Sequence, residues 1–570
     1  MIKIGYGISN YESMVKEGRH YVDRTNYIDV LENVVQSKFL FFLRPRRFGK
    51  SLFISTLAHY YDLQHKAQFD YLFGHRYIGK NPTPLANSYL VLTFDFSGID
   101  TSSLQNTEKG FLKNVKTGVE EFCVTYPELF SATFLEQLLA IDKAETLMKK
   151  LFISVKQSGH QIYLLIDEYD HFANELISFN LEGFKKAVTE NGFVRKFYET
   201  IKTATRDGSV DRLFVTGVSP ITVDSLTSGF NIGTQLSLDL NCHNLMGFTE
   251  GEVKGIFDRI GVTEKEMTRL MRDMKKWYNG YLFNVGAAER LYNSDMVLYF
   301  ASFYVLYRKY PDEMLDFNIA SDYSKIRKLF RIGGFENDKL VLLDSMIRGE
   351  KVSFSLTTQF SFEKRGFPKE DLLSLLFYMG FLTIKKKWGD KYEMEMPNKV
   401  IRDIYFDYFL QVIEEKAQTN RDMYDLGNAL DELIWENRPE PILEVLEITL
   451  KSLTNRDFRT MDEKHVQAMF YAYLNISRMY ETKSEYESEK KYFDILMLET
   501  PIAEAKYEFI FELKYAKQAG EIRIDTIKAE AATQIKKYLT TKELANHPKM
   551  KAWVVVIVGD TVEVCDEVFL

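Results

Sequence analysis

Apolar and polar positions alternate in two registers along this chain, and the change from one to the other divides it. From Phe39 to about residue 290, short unbroken apolar runs are separated by stretches of helical periodicity. The runs are FLFFL from Phe39, YLVLTFDFS from Tyr89, QIYLLID from Gln161 and RLFVTG from Arg212. Continuous apolar strands alternating with helices predict a parallel sheet covered on both faces. Beyond Tyr292 that rhythm is lost, and residues 294–435 read mainly as amphipathic helices. Within them, DLLSLLFYMGFLTIKKKWGDKYEMEMP from Asp371 predicts a helix, a strand, a Gly-Asp turn and a second strand, with a further helix from Asn398. That order fits a winged-helix unit or a small helical domain with one hairpin. From Asp462 strands return: a helix DEKHVQAMFYAYLN, a polar strand around YETKS, then YFDILMLE, YEFIFELKYA, a helix from Ala529 and AWVVVIVG. The expected fold class is α/β in three parts. Residues 1–290 are expected to hold the parallel sheet, 291–440 a helical or winged-helix-like middle region, and 441–570 a small α/β domain.

A length of 570 residues exceeds what one core supports and agrees with several domains. Hydrophobic residues at 45% and charged residues at 27% are ordinary for a folded globular chain. The formal charge of −8 provides no global attraction to nucleic acid, so any such binding needs a local basic patch. Cys123, Cys242 and Cys565 are far apart and lack metal-ligand spacing, which fits a reducing compartment. No signal-peptide pattern opens the chain, and its most apolar helical stretch, Met296 to Tyr307, falls short of the roughly 20 residues a bilayer span needs. A cytoplasmic location without membrane association is expected.

The candidate chemistry begins at the turn after the first strand, Arg44-Pro-Arg-Arg-Phe-Gly-Lys-Ser51, which opens a helix. Gly49 lets the backbone curl around phosphate oxygens at a helix N-terminus, and Phe48 and Leu52 are counted with it among the cofactor-binding residues. Lys50 can reach the β- and γ-phosphates, and the Ser51 hydroxyl can ligate Mg²⁺. Arg44, Arg46 and Arg47 suit either phosphate contact or structural ion pairs. The third strand ends in Asp167 and Glu168, and adjacent acids at the end of a buried strand are costly without a task. Asp167 suits a Mg²⁺ ligand and Glu168 a base orienting water. Together these predict that residues 1–290 are a P-loop ATPase, with ATP and Mg²⁺ as cofactors.

These motifs carry a resemblance. YVDRT (Tyr21 to Thr25), RPRRFGKSL, LLIDEYD, FVTGVSPIT, GFTEGEV and WYNGYLF, in that order, resemble the AAA-ATPase-like family of bacteria and archaea. Many of its members carry a nuclease-like domain at the C-terminus. An arginine at the first P-loop position is that family's pattern. The resemblance implies that Thr216 is a sensor near the γ-phosphate, while the residues alone also allow a strand-end threonine capping the next turn.

In the last segment, Glu512 and Lys514 are spaced to share one strand face, with Asp494 on the preceding strand. Two acids and a lysine at one edge can hold Mg²⁺, or Mn²⁺, and position a water for attack on a phosphodiester. The arrangement resembles the PD-(D/E)XK nuclease superfamily, which implies a small α/β restriction-endonuclease-like domain over residues 441–570. On that resemblance Asp494 is the metal-binding aspartate, Glu512 and Lys514 are the E-x-K pair, Gln534 is a catalytic helix glutamine, and Glu487 is an upstream acid among the metal residues. Glu463 and His465, on the preceding helix, rank below these. The glycine and arginine that relatives often carry between the upstream acid and the aspartate are missing from Glu489–Phe493. The expected function is an ATPase controlling a metal-dependent nuclease-like domain that acts on nucleic acid, DNA before RNA, with a homo-oligomer allowed. A nucleotide-driven switch with an inactive nuclease-like binding domain is the alternative, and a metabolic kinase with an accessory domain ranks third.

Overall fold

In the computed structural model, the described residues are 2–179, 181–188, 191–221, 232–316, 330, 342–343, 345–346, 351–358, 360, 368–417, 423–452, 462–477, 479–488, 491–500, 503–517, 524–539, 544 and 547–569. The chain divides into two compact units, Met1–Phe335 with Ser353–Val400, and Glu336–Val352 with Ile401–Leu570.

The first unit opens with a two-stranded parallel pair, β1 (Lys3–Ile4) and β2 (Arg19–His20). Its main sheet takes up all four apolar runs as β3 (Phe39–Leu43), β4 (Leu90–Asp95), β5 (Ile162–Asp167) and β6 (Val210–Gly217). A short strand that periodicity did not predict, β7 (Thr234–Gln235), completes it. The order is β4-β5-β6-β3-β7 and every pairing is parallel. All six residues of β5 are buried, as expected of a central strand with helices on both faces. The Leu104–Thr125 helix shows the complementary pattern, burying Phe111, Val115, Val119 and Phe122 along one stripe. Register determines where chemistry can occur. Asp95 lies level with Asp167, and Leu43 with Gly217, so β3, β5 and β6 end together at one edge of the sheet. Ligands of open α/β sheets bind along such a carboxyl edge.

A second sheet in this part of the chain has the order β8-β10-β9, from Val352–Ser355, Lys391–Glu395 and Thr383–Trp388. The helix predicted from Asp371 spans Lys369–Tyr378, and the hairpin of β9 and β10 follows it, closed by Gly389 and Asp390. Gly389 sits at φ +59°, the left-handed region that favours glycine. The helix expected from Asn398 runs over Lys399–Ala417.

The second unit is built on a five-stranded sheet, β11 (Tyr480–Ser488), β12 (Lys491–Glu499), β13 (Glu508–Ala516), β14 (Met550–Val558) and β15 (Thr561–Glu567), in sequential order. Only β13 and β14 run parallel, and the Ile524–Leu539 helix makes the crossover between them. Ala531, Ile535 and Tyr538 of that helix pack on Leu496, Ile510, Val554 and Val556. The Glu463–Asn475 helix packs against β11 and β13, with Phe470 edge-on to Phe511 at 5.1 Å. Strand β15, which the sequence reading did not anticipate, adds an antiparallel edge to β14. No described helix is long and apolar enough to cross a membrane.

Candidate active sites

Strand β3 ends at Leu43, and the helix Lys50–Tyr61 begins six residues later on Gly49, whose φ of +96° serves as the left-handed N-cap. Arg47 also takes a positive φ, +67°. These two positions bend the turn into a cup at a helix N-terminus, a place that favours an anion. Residues far along the chain hold the cup from outside. The Gly247 amide donates to the Phe48 carbonyl (3.2 Å), the Asn293 side chain to the Arg46 carbonyl (3.3 Å), and the Ser294 hydroxyl to the Phe48 carbonyl (3.2 Å). Asn293 also caps the Ser294–Tyr307 helix, so one short segment closes a helix and braces the turn.

The three arginines differ: Arg47 makes a structural ion pair, one of the two expected roles, whereas Arg44, among the described residues, makes neither a phosphate-facing contact nor an ion pair. Arg44 is 1% exposed and donates to the carbonyls of Leu43, Ser237, Cys242 and His243. Its guanidinium lies 4.3 Å from the ring centre of Phe42 and 3.9 Å from that of Phe283. It therefore contacts carbonyls and rings in place of the phosphate or carboxylate that its position suggested. Burial lowers it to about 9. Arg47 pairs with Asp295 at 3.6 Å, and Arg46 approaches the His171 ring nitrogen at 3.3 Å. The Phe48 side chain turns inward onto Tyr281 (5.0 Å) and Phe283 (5.8 Å), anchoring the turn.

Lys50 is buried and donates to the Arg44 and Pro45 carbonyls at 3.2 and 3.1 Å. Burial lowers its ammonium below the usual value, against the pull of Glu168 and Asp167. Asp167 is raised to about 6 by burial, although the Ser51 hydroxyl hydrogen-bonds to it and Lys50 attracts it. Glu168 sits at φ +48°, a strained position for a non-glycine residue. Burial raises its carboxyl, but a 2.8 Å contact with His171 and the charges of Lys50 and Arg46 outweigh this and lower it to about 2. Ser51, Asp167, Lys50 and Glu168 thus converge at one edge of the sheet. An ionised acid kept costly by burial beside a hydroxyl is a suitable place for Mg²⁺.

Gly49, Lys50, Ser51, Leu52 and Glu168 line a cavity of about 440 Å³ with Arg46, Arg47, Tyr21, Arg24, Gly247, Ser294 and Asp295. Its size suits a nucleotide-scale ligand. Arg24 forms a bidentate pair with Glu252 and donates to the Gly247 carbonyl at 2.5 Å. Thr216 is fully buried, and its hydroxyl donates to the Phe42 carbonyl at 2.8 Å. Asp170 accepts from the Val218 and Ser219 amides and so ties the end of β5 to that of β6. A Cβ on Gly217 would come within 2.2 Å of it, which explains that glycine.

In the second unit, Asp494, Glu512 and Lys514 meet as their spacing suggested. The Lys514 ammonium lies 3.0 Å from Glu512 and 3.4 Å from Asp494. Asp494 also accepts from the Leu513 amide at 2.8 Å. Glu512 is fully buried, and neither of its oxygens has an aligned hydrogen-bond donor. Burial and then the Asp494 charge raise it to about 7, while Lys514 pulls it down. The lysine is raised in turn by Asp494 and Glu512, which outweigh its burial. Glu463, ranked low from sequence, reaches this cluster: it accepts from the Tyr515 amide at 3.2 Å and stands 3.9 Å from Lys514. His465 does not, because it turns back to Asp462 in a capping box. Gln534 hydrogen-bonds to the Tyr538 hydroxyl, and Tyr538 feels the charges of Glu512 and Asp494. The Glu487 backbone pairs with Tyr492, and its side chain lies outside the described residues.

Among the described residues no group of three or more His, Cys, Asp or Glu forms a ready metal cage. A poorly satisfied buried carboxylate beside a second acid still fits Mg²⁺, which keeps several waters and needs only one or two protein carboxylates. Asp494 and Glu512 are the residues that would hold it.

The fold and these two constellations define a unit with a P-loop-type turn at the edge of a parallel sheet and a nuclease-type mixed sheet in one chain. Comparison with known families agrees: residues 5–227 match the model described as predicted AAA-ATPase, and residues 461–567 match the PD-(D/E)XK nuclease superfamily. The chain therefore carries a predicted AAA-ATPase domain at its N-terminus and a PD-(D/E)XK nuclease superfamily domain at its C-terminus. It is also 28% identical over 315 residues to an uncharacterized protein in the vnfD 5′ region of Azotobacter chroococcum. That match covers 52% of this chain and 52% of the relative, so the chain spans about half the length of the curated relative. Asn293, Ser294 and Asp295 lie outside the residues matched by the two family models. Their only trace in the sequence is the N-cap pattern Asn-Ser-Asp before an apolar helix.

Proposed function

We propose that this protein binds and hydrolyses ATP with Mg²⁺ and uses the nucleotide state of its first unit to control metal-dependent phosphodiester cleavage by its second. The observation that carries the reading is the paired convergence: Ser51 on Asp167 beside Lys50 and Glu168, and Asp494 with Glu512 on one Lys514 ammonium.

In the first unit, the Gly49 turn receives phosphates, Lys50 exchanges its two carbonyl partners for phosphate oxygens, and Glu168 orients the attacking water. Ser51 and Asp167 would hold Mg²⁺, which supplies charge neutralisation at the phosphates. In the second unit, Asp494 and Glu512 would hold the cation, and Lys514 aligns the water and offsets charge on the phosphate. The substrate class is nucleic acid, DNA before RNA.

The test is incubation of the full chain with a mixed panel of DNA and RNA, with and without ATP, in Mg²⁺ or Mn²⁺, against Lys514→Ala. Metal-dependent cleavage that responds to ATP and disappears in Lys514→Ala is expected. Retention of nucleic acid without cleavage would replace this reading with a nucleotide-driven binding switch.

A further inference from the structure

The β9–β10 hairpin of the first unit presents an arrangement that the nucleotide site does not use. Seven consecutive residues, Lys385 to Lys391, are exposed, and four of them are lysines. At the tip Trp388 is 66% exposed, among the most exposed large apolar side chains described. A tryptophan left in water at the end of a hairpin contributes nothing to a core, and it enlarges the apolar surface that solvent must cover.

Strand alternation sorts these side chains. Trp388 pairs across the hairpin with Lys391, and Lys386 with Glu393, so Lys386, Trp388 and Lys391 share one face. The Lys386 ammonium lies 5.2 Å from the Trp388 ring centre. Lys387 pairs with Tyr392 on the other face, its ammonium 4.9 Å from that ring. Two acids of the hairpin, Glu393 and Glu395, are lower on the strands, and the third, Asp390, is in the turn: Glu393 is buried and pairs with Lys385 (3.6 Å) and Lys386 (3.3 Å). Asp390 is engaged by the Ser355 hydroxyl at 3.1 Å. The outer end thus combines a flat exposed ring with ammonium groups on both faces, in a chain whose overall charge is −8.

We propose that this tip is a nucleic-acid-binding surface, with Trp388 stacking on an unpaired base and Lys386, Lys387 and Lys391 contacting the neighbouring phosphates. Charge selects the occupant. An acidic protein repels a polyanion except where cations are grouped, and an aromatic ring among such cations matches the alternation of bases and phosphates along a strand. The proposal rests on the reading that the chain acts on nucleic acid, and it gives that reading a contact surface outside both acidic clusters.

The experiment is fluorescence anisotropy of a labelled 20-mer of deoxythymidine with the full chain at several salt concentrations, in Ca²⁺ to suppress cleavage. Trp388→Ala should weaken binding by about tenfold or more, and Trp388→Phe should recover most of it. Lys386→Ala, Lys387→Ala and Lys391→Ala should each weaken binding and each reduce the salt dependence by about 0.7 in the logarithmic slope. ATP affinity, measured in parallel, should be unchanged in all of them. Wild-type binding that none of the substitutions alters overturns this proposal and leaves the nucleic-acid reading intact. Absence of wild-type binding to any DNA or RNA overturns both. Unchanged DNA binding with Trp388-dependent binding to vesicles of anionic lipid would assign the tip to a membrane surface instead.

Discussion

Replacing Asp167 with Asn should stabilise the nucleotide-free protein while abolishing its stabilisation by Mg²⁺-ATP. Asp167 is 6% exposed at the end of β5, and its carboxyl is raised from 3.8 to about 6. A folded-state value above the unfolded one means that the native protein holds the proton more tightly between these pH values. Ionisation therefore costs stability as pH rises through 3.8 to 6, and the full cost is present above that window. At about 1.36 kcal/mol per pH unit, the cost at pH 7.5 is on the order of 3 kcal/mol. An asparagine keeps the oxygen that accepts from the Glu168 amide (2.9 Å). Its amide nitrogen can donate to the Ser51 oxygen once that hydroxyl rotates, so few hydrogen bonds are lost. Allowing for an imperfect amide fit, the variant should gain about 1–3 kcal/mol at pH 7.5. Thermal unfolding of the full chain, followed through the transition that Mg²⁺-ATP moves, measures this. The gain should shrink to about 0.5 kcal/mol by pH 4 and vanish below about pH 3, where Asp167 is protonated in both folded and unfolded wild type. A variant no more stable than wild type at pH 7.5, or a gain that persists undiminished at pH 4, would refute the electrostatic account.

Three further substitutions test the two sites. Lys50→Ala removes the charge beside the Gly49 turn and should weaken ATP binding by about 1.5–3 kcal/mol in calorimetry, the worth of a charged hydrogen bond. Glu168→Gln should bind ATP with near wild-type affinity and lower turnover by at least about 100-fold; unchanged turnover would assign water activation to another residue. Glu512→Gln should eliminate metal-dependent cleavage yet raise stability at pH 8 by up to about 3 kcal/mol. Here burial lifts the wild-type carboxyl from 4.5 to about 7, and the ionised form costs stability as pH rises through that window. The gain should fade towards pH 4, and a destabilised variant at pH 8 would mean that the Lys514 ion pair outweighs the burial of Glu512.

Much of this architecture is written locally. Unbroken apolar runs mark β3 to β6 because a doubly covered strand must be apolar on both faces, and their ends mark Gly49-Lys50-Ser51 and Asp167-Glu168. A period of two by itself places Glu512 and Lys514 on one face of a strand. What periodicity could not supply is partnership across distance. The Phe48 carbonyl is held by Gly247 and Ser294, about two hundred residues away and more, and the Arg44 guanidinium is enclosed by Ser237 to His243 and Phe283. A motif reading assigns an arginine beside a phosphate turn to phosphate, because charge is local information and burial is not. Likewise Glu463 and His465 stand two positions apart on one helix, and their sequence places do not distinguish them. Only the packing of that helix against β13 sends Glu463 to the Tyr515 amide and leaves His465 to cap its own first turn. Residue types and their alternation determined which groups were available for chemistry. The tertiary structure decided which of them are desolvated and brought together, because burial depends on every element packed around a side chain and so is not a property of its immediate neighbours in sequence.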